Sequence, residues 1–339
     1  MTDRQIDRAV AAYARSRPRL EVVTSTFVEL LTRMLDDAGF NYLSVTGRTK
    51  TVASFAAKAH RERDGRAVHP EPMRQITDQI GVRVITYVHS DVVAIAQLFA
   101  DADQLTVLED RDMGQDTARQ GRFGYASRHL LLCVGGTDAE PSYDPMRCVS
   151  VQLRTVLQHA WAEFEHEIRY KGTVPPEHAP DLDRRFTLAA GLLELADREF
   201  SVIRDTVSES MGGRAVSGDD DDPRISAQEL ATFLAGRYAS AGWSRTEHYA
   251  WIGGLLLELG ITSLDELSEV LRPVDSAWVT AQMGYRYAAG AVRRLDDDLL
   301  ERFGERYVQL HGNADRRDAL TTRLTRLWTT RKDTPLEPF

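Results

Sequence analysis

One polar stretch of the sequence divides the chain into two folding units. Residues 212–223 read Gly-Gly-Arg-Ala-Val-Ser-Gly-Asp-Asp-Asp-Asp-Pro, with four consecutive carboxylates and no apolar periodicity. Carboxylates at that density repel one another and stay hydrated, which is typical of a linker. We therefore predict a first domain at residues 1–211, a linker at 212–223 and a second domain at 224–339. A chain of 339 residues is long enough for two domains.

Strands alternate with helices before the linker. The clearest strand is residues 80–89, which are rich in β-branched side chains. Such alternation predicts an α/β (α+β) domain, with a mixed sheet of four or five strands flanked by helices. The predicted helices are 3–38, 51–63, 92–102, 155–170 and 182–210. The other predicted strands are 41–45, 105–109, 129–134 and 148–154, and residues 110–124 are predicted to form a loop.

Only helices are predicted after the linker, at 226–240, 246–259, 263–271, 275–294, 296–311 and 314–330. The second domain is therefore expected to be all-helical, with its tryptophans in the core. Those tryptophans are Trp243, Trp251, Trp278 and Trp328. Asp296, Asp297 and Asp298 are expected to form a solvated charged turn.

The bulk properties exclude some classes of protein. The net charge of −9 argues against a general nucleic-acid-binding surface, although it allows a local basic pocket. No apolar run is long enough to span a membrane, and residues 1–20 lack the apolar core of a secretory signal. Cys133 and Cys148 lie in apolar segments, so we predict buried free thiols in a cytoplasmic protein rather than a disulfide or a metal site.

The first segment that suggests chemistry contains Arg48, Lys50, Ser54 and Lys58. Cations between a strand and the start of a helix suit a polyphosphate, because the helix N-terminus also attracts negative charge. A solvated basic helix face accounts for the same residues when they are taken alone.

The second segment contains Asp78 and Arg83 around Gly81. Asp78 just before a strand is either a turn residue or a ligand for Mg²⁺, which takes one or two carboxylates together with phosphate oxygens. Arg83 within an apolar strand needs an acid or a phosphate as its partner.

Two later segments add aromatic and polar groups. Tyr125 offers a flat face to a nucleobase, in a short motif that also contains Ser127 and His129. Gln152 and Arg154 share one face of a strand. The helix that follows carries His159, Glu163 and His166 at helical spacing. We discount a zinc site there, because no cysteine or further histidine completes a tetrahedral set.

The order and spacing of these segments resembles the RelA/SpoT synthetase family. That family's patterns are R-x-K-x-x-x-S-x-x-x-K, D-x-x-G-x-R, G-Y-x-S-x-H, and E-x-Q-x-R-T leading into W-A-x-x-E-H, and the last helix here is similar to that of the small, single-domain synthetases. The resemblance implies a nucleotidyltransferase-like sheet. It also implies a pyrophosphokinase that moves the β,γ-pyrophosphate of ATP to the 3′-hydroxyl of GDP or GTP.

The resemblance also implies a role for each matching residue. Asp78 is expected to bind Mg²⁺ and to act in catalysis together with Gln152 and Arg154. The expected ATP-binding residues are Arg48, Lys50, Ser54, Lys58 and Arg83. The expected acceptor-binding residues are Tyr125, Ser127, His129, Glu165 and His166.

One position departs from the family pattern. Ser150 stands where the family has a glutamate, and a serine cannot serve as a general base at neutral pH. Three alternatives stay open: a nucleotide pyrophosphokinase, an enzyme that modifies another 3′-hydroxyl such as the tRNA 3′ end, and a degenerate nucleotide-binding regulator. The second domain is expected to regulate the first, to bind a partner such as an antitoxin, or to drive self-association.

Overall fold

The computed structural model describes residues 3–113, 127–135, 142–171, 179–211, 223–239, 241–242, 244–285 and 289–332. The protein forms two compact units. One comprises Met1–Met34 with Tyr42–Ser201, and the other comprises Leu35–Asn41 with Val202–Phe339. None of the described helices is both long enough and apolar enough to cross a membrane.

A five-stranded mixed sheet forms the centre of the first unit, with the strand order β1-β4-β7-β6-β5. Strands β4 and β7 are parallel, and the other neighbours are antiparallel. The predicted α/β (α+β) class and the mixed sheet are confirmed. The five strands are β1 (Tyr42–Thr49), β4 (Ile80–Thr86), β5 (Leu105–Asp112), β6 (Arg128–Val134) and β7 (Cys148–Thr155).

Helices flank this sheet, and one of them is shorter than predicted. The predicted helix over 51–63 ends at Ala59, and a small hairpin follows it. The reason is the Asp64-Gly65 pair, whose φ angles of 53° and 71° make a tight hairpin turn. The hairpin strands are β2 (Glu62–Arg63) and β3 (Arg66–Ala67). The helices are α1 (Asp3–Asp37), α2 (Val52–Ala59), α3 (Pro72–Gln75), α4 (His89–Ala100), α5 (Val156–Lys171) and α6 (Ala179–Met211).

The alternation of side chains along β4 and β7 separates the two faces of the sheet. Val82, Val84, Val151 and Leu153 are at most 1% exposed, so one face belongs to the apolar core. Helix α4 packs on these central strands and buries side chains such as Phe99. The intervening residues of β4 and β7 are polar and lie on the opposite face, which is therefore available for chemistry.

The cysteine prediction is wrong. Cys133 and Cys148 are joined by a disulfide bond. They are direct register partners on the antiparallel strands β6 and β7, so the sheet pairing brings their side chains together on one face. Apolar periodicity alone does not show that two strands pair in this register.

The second unit is helical in its described part, with an apolar core of its own. The boundaries of the two helices predicted at 275–294 and 296–311 differ in the structure, because helices there end just before Gly284 and Gly304. These two glycines adopt positive φ angles of 65° and 56°. The helices are α7 (Ala227–Arg237), α8 (Thr246–Glu258), α9 (Leu264–Leu271), α10 (Ser276–Met283), α11 (Ala291–Phe303), α12 (Glu305–Val308) and α13 (Arg317–Lys332), with a 3₁₀ helix at His311–Arg316.

The tryptophan prediction holds for part of this core. Trp251 and Trp278 pack against it, whereas Trp328 is 48% exposed, so its predicted core position is wrong. Trp243 lies outside the described residues.

The predicted solvated turn at Asp296, Asp297 and Asp298 is also wrong. The three aspartates lie within α11, and each is 1% exposed. Asp296 accepts hydrogen bonds from the Tyr307 hydroxyl at 2.6 Å and from Arg323 at 2.8 Å. Distant arginines and tyrosines thus compensate the burial of these charges, which a reading of neighbouring residues alone does not reveal.

Candidate active site

A row of polar side chains crosses the sheet on its open face. Arg83 of β4 is the register partner of Gln152 of β7, which is itself the partner of His129 on β6. His129 is in turn paired with Arg111 of β5. Register partners point to the same face of a sheet, so four strands present these groups side by side.

Glycine makes room for an arginine in the next row. Arg48 of β1 is the partner of Gly81, and Gly81 is the partner of Ser150. A Cβ atom added at Gly81 would lie 3.4 Å from the Arg48 Nε atom. That is an ordinary contact distance, so an alanine would still fit, whereas a longer side chain would compete with Arg48 for the space over Gly81.

These rows border a cavity of about 110 Å³. Its walls are formed by residues of the segment around Arg48, of the segment around Asp78 and of β7. Its lining comprises Thr46, Gly47, Arg48, Asp78, Gly81, Val82, Arg83, Ser150 and Gln152. The structure thus brings the predicted Arg48, Asp78, Arg83 and Gln152 together, while Thr46 and Gly47 are cavity residues that the sequence motifs did not identify.

Two lysines converge on the carboxylate of Asp78. Lys50 Nζ donates to Oδ2 at 2.7 Å, and Lys58 Nζ donates to Oδ1 at 3.1 Å. Burial raises the pKa of Asp78, but the hydrogen bond and charge of Lys50 and the charge of Lys58 outweigh it, so the net pKa is lowered. Asp78 is therefore an ionised group that holds both predicted phosphate-binding lysines in place.

Helix α1 positions this lysine pair, which the motifs alone did not indicate. The buried Tyr13 hydroxyl donates to the Lys50 carbonyl at 2.7 Å, and Arg17 Nε donates to the same oxygen at 3.3 Å. The Tyr13 ring also stacks on Phe55 of α2, the helix that carries Lys58, at 4.1 Å between centroids. Burial raises the pKa of Tyr13 to about 12, so its hydroxyl stays a donor.

Ser54 lies in the first turn of α2. The Thr51 hydroxyl caps this helix by accepting from the Ser54 backbone N–H at 3.1 Å. The Ser54 side chain is exposed and does not line the cavity. Ser54 thus marks the helix start that the polyphosphate hypothesis requires.

His129 is held as a neutral imidazole. Its Nε2 atom lies 2.7 Å from the Ser127 hydroxyl oxygen. Burial lowers its pKa to about 4, with the positive charges of Arg154 and Arg111 acting in the same direction. Tyr125, the third predicted acceptor residue of this motif, lies outside the described residues.

Arg154 is a half-buried cation on the same face. Burial, followed by the charge of Arg83, lowers its pKa to about 10, so it still carries a full positive charge at neutral pH. Its Nε atom is buried and has no hydrogen-bond partner within the described part of the chain. A buried donor without an acceptor is a suitable contact for an anionic ligand.

Helix α5 adds a carboxylate to this face. Glu163 Oε1 lies 3.1 Å from the Arg83 guanidinium and 3.7 Å from His159 Nδ1. The predicted Glu165 and His166 follow on the same helix, half-buried and exposed respectively, and the described cavity lining does not include them. Spacing alone presented Glu163 as an unconvincing zinc ligand, whereas the structure pairs it with Arg83.

The donor set fits a magnesium ion only when phosphate oxygens complete it. Both carboxylate oxygens of Asp78 are engaged by lysines, and Ser150 offers a neutral hydroxyl. In the described ranges, no group of three His, Cys, Asp or Glu side chains could hold a metal ion. Asp78 would therefore hold Mg²⁺ as a single carboxylate, with a nucleotide supplying the other ligands.

Cations dominate the chemistry of this face. Arg48 and Arg83 line the cavity, Arg154 is close enough for their charges to lower its pKa, and Lys50 and Lys58 pair with Asp78 of the cavity lining. Such an arrangement stabilises a polyphosphate and the charge that develops during phosphoryl transfer, since little covalent chemistry is required of the protein.

Comparisons with known proteins find similar sequences. Residues 47–174 match the family model described as "Region found in RelA / SpoT proteins". The chain is 27% identical over 212 residues to GTP pyrophosphokinase YjbM of Bacillus subtilis (strain 168), and the match covers 62% of this chain and 93% of that protein.

Two solved structures with similarity to this chain are those of small alarmone synthetase 1 from Bacillus subtilis. The first is 25% identical, covers 61% of this chain and 100% of that chain, and has a TM-score of 0.43. The second, bound to its product pppGpp, is also 25% identical, covers 60% and 99% of the respective chains, and has a TM-score of 0.43.

Proposed function

We propose that this chain, a RelA/SpoT-family protein of the small alarmone synthetase type, is a pyrophosphokinase that acts on nucleotides. It would transfer the β,γ-pyrophosphate of ATP to the 3′-hydroxyl of GDP or GTP. The observation that carries the proposal is the convergence of Lys50 and Lys58 on Asp78, which lines one cavity together with Arg48, Arg83 and Gln152. The similarity to a GTP pyrophosphokinase supports the same reaction.

The donor would bind at the lysine end of the cavity. Lys50 and Lys58 would move from Asp78 to the ATP phosphates, because a triphosphate carries more negative charge than one carboxylate. Arg48 and Arg83 would contact the pyrophosphate that moves. Asp78, released by the lysines, would then be the protein ligand of Mg²⁺, whose chemistry is to neutralise charge on the phosphate oxygens.

The acceptor would bind toward β6. Neutral His129 and Ser127 provide hydrogen bonds, and the unpartnered Nε of Arg154 provides a charged donor for the acceptor's own phosphates. Gln152 lies between His129 and Arg83 in the register, where donor and acceptor would meet. Tyr125, Glu165 and His166 remain predicted acceptor contacts.

The reaction itself is a substitution at phosphorus. The 3′-oxygen of the acceptor forms a bond to the β-phosphorus of ATP, and the bond from that phosphorus to the α,β-bridging oxygen breaks. AMP leaves with the electron pair, and the hydroxyl proton passes to a base. These nucleotide substrates suit a cytoplasmic reaction.

A panel of acceptors tests the proposal. ATP labelled in its γ-phosphate is incubated with the protein and Mg²⁺ together with GDP, GTP, ATP or deacylated tRNA. Label on a guanosine nucleotide with release of AMP supports the proposal. Label on tRNA identifies the 3′ end of tRNA as the acceptor instead.

A degenerate, regulatory role is the second candidate, and Ser150 is the observation that favours it. In that case the protein binds ATP, as measured by calorimetry, but labels none of the acceptors. Binding without transfer in the same samples therefore distinguishes this candidate from an active enzyme.

For the helical second domain we propose regulation or partner binding. A cavity of about 220 Å³ opens within this unit, where the Arg316 guanidinium lies 4.5 Å from the Trp251 ring centroid. An antitoxin-like partner, restraint of the first domain or self-association would each use such a surface. Light scattering of the full chain and a growth assay with and without residues 224–339 test these roles.

A further inference from the structure

We infer that Glu163 accepts the proton of the acceptor hydroxyl in the proposed transfer. The inference rests on the proposed function. It concerns the removal of the proton from the acceptor hydroxyl, for which the cavity lining offers no free base. The carboxylate of Glu163 lies 3.1 Å from Arg83, and Arg83 lines the cavity. A carboxylate in hydrogen-bonding range of the substrate is the group that such a proton transfer requires.

The other polar groups of the cavity are unsuited to this role. Both oxygens of Asp78 accept hydrogen bonds from lysines, and with nucleotide bound they would face the metal and the phosphates. Ser150 has a hydroxyl that is not ionised at neutral pH, and Gln152 has no basic group. Among the described residues that line the cavity, Asp78 is the only carboxylate.

Glu163 has the exposure and the support that the role needs. Its side chain is 55% exposed, while its Arg83 partner is 30% exposed, so a substrate can reach the carboxylate without disturbing a buried pair. Arg83 orients it from the sheet, and the Nδ1 atom of His159, one turn earlier on α5, lies 3.7 Å away. Burial, followed by the charge of Arg83, lowers the pKa of His159, so its imidazole is neutral at pH 7.

The proposed reaction does not require a strong base. The transition state of phosphoryl transfer is loose, so the attacking oxygen keeps its proton until bond formation is advanced and needs little activation. In the step, the 3′-hydroxyl donates its proton to Glu163 while the oxygen binds the β-phosphorus of ATP. AMP leaves with the bonding electron pair, and Glu163 later returns the proton to water.

The test removes the Glu163 carboxylate and adds a carboxylate at position 150 of β7. The variants are E163Q, S150E and the double variant E163Q/S150E, assayed in the full chain for transfer to GDP and for ATP binding. A matched control is E194Q, because Glu194 is also a helical glutamate paired with an arginine, Arg198 at 2.5 Å, and lies on α6.

We expect E163Q to lower kcat by about 100-fold, within the range attributed to general-base catalysis, with an unchanged Kd for ATP. S150E should restore at least a tenth of the wild-type rate in the double variant. E194Q should match the wild type. A merely structural role for Glu163 would change ATP binding or thermal stability and would not be rescued by S150E.

The outcomes separate this inference from the proposed function. If the wild type transfers pyrophosphate and E163Q is equally active, the inference fails and the proposed function stands. If the wild type binds ATP but transfers nothing, the proposed function fails, and the inference fails with it because a working base predicts an active wild type. Activity that appears only in S150E would then show that Ser150 blocks the reaction.

Discussion

The Nζ atom of Lys50 lies 2.7 Å from Oδ2 of Asp78, so a predicted phosphate ligand and a predicted metal ligand neutralise each other in this structure. Lys58 makes a second pair with the same carboxylate at 3.1 Å. Under the proposed function, a bound phosphate group would compete with this carboxylate for the same two cations.

We expect Asp78→Asn to tighten the binding of metal-free ATP and to abolish transfer. Removing the competing charge releases two partly exposed ion pairs, worth up to about 1 kcal/mol each, which corresponds to an affinity gain of at most roughly 30-fold. Calorimetry in EDTA measures the affinity, and the labelled-ATP assay measures transfer. Asp181→Asn, which removes an exposed ion pair with Arg185, serves as the control and should leave both quantities unchanged. Weaker ATP binding by Asp78→Asn in EDTA would contradict the competition.

Gly47→Ala is expected to destabilise the first unit. An added Cβ would lie 2.6 Å from Val28 Cγ2 and 2.7 Å from Thr24 Cγ2 on α1, and crowding of this kind typically costs about 1–3 kcal/mol. Urea denaturation measures the change in the free energy of unfolding. Gly191→Ala on α6 is the matched control, because no atom lies within 4 Å of its added Cβ and alanine favours a helix by up to about 1 kcal/mol. Equal stability of the two variants would show that β1 does not pack on α1 as described.

His129 should make the folded state sensitive to mild acid. Its folded pKa of about 4 lies below the ordinary value of 6.5, so the unfolded chain takes up the proton first as the pH falls. The folded state therefore loses stability progressively between pH 6.5 and pH 4, by about 3 kcal/mol in total, and this loss is absent above pH 6.5. His129→Gln should remove that part of the pH dependence in urea denaturation at pH 7.5, 6 and 5. An unchanged slope in the variant would place the imidazole in solvent.

Arg323→Met should severely destabilise the second unit. Arg323 is 8% exposed and donates to both Asp296 and Asp297, so its loss leaves two buried carboxylates with fewer compensating charges. Breaking a buried pair in this way costs about 3–5 kcal/mol. Thermal unfolding measures the effect, and Arg272→Met, which breaks an exposed pair with Glu269, should cost less than about 1 kcal/mol. If both variants unfold like the wild type, the aspartates of α11 are not held as described.

The sequence predicted the local elements better than the contacts between them. The β-branched run after Asp78 correctly indicated β4, although the strand ends at Thr86 because α4 already begins at His89. The Asp64-Gly65 pair carried the signal for a hairpin, but helical periodicity on its N-terminal side extended the predicted helix across it. Where a local pattern and a turn residue compete, the turn residue decides the boundary.

Pairings between distant residues account for the larger errors. Three adjacent aspartates read as a solvated turn because several of their arginine and tyrosine partners, such as Tyr238, Tyr307 and Arg323, lie in or directly after other helices. Likewise, Glu163 had no visible role until the fold placed α5 beside Arg83 of β4. The cysteine pair depended on strand register, which periodicity does not specify.

Acceptor-dependent release of AMP by the wild type is the most direct test of the central claim. Arg48, Lys50, Lys58 and Arg83 are expected to bind ATP so that a 3′-hydroxyl attacks its β-phosphorus. The account predicts one AMP released per labelled guanosine nucleotide with GTP, and no such release with 3′-deoxy-GTP or with the Lys58→Met variant. AMP or label appearing equally with 3′-deoxy-GTP, or no labelled product with GTP, would contradict it.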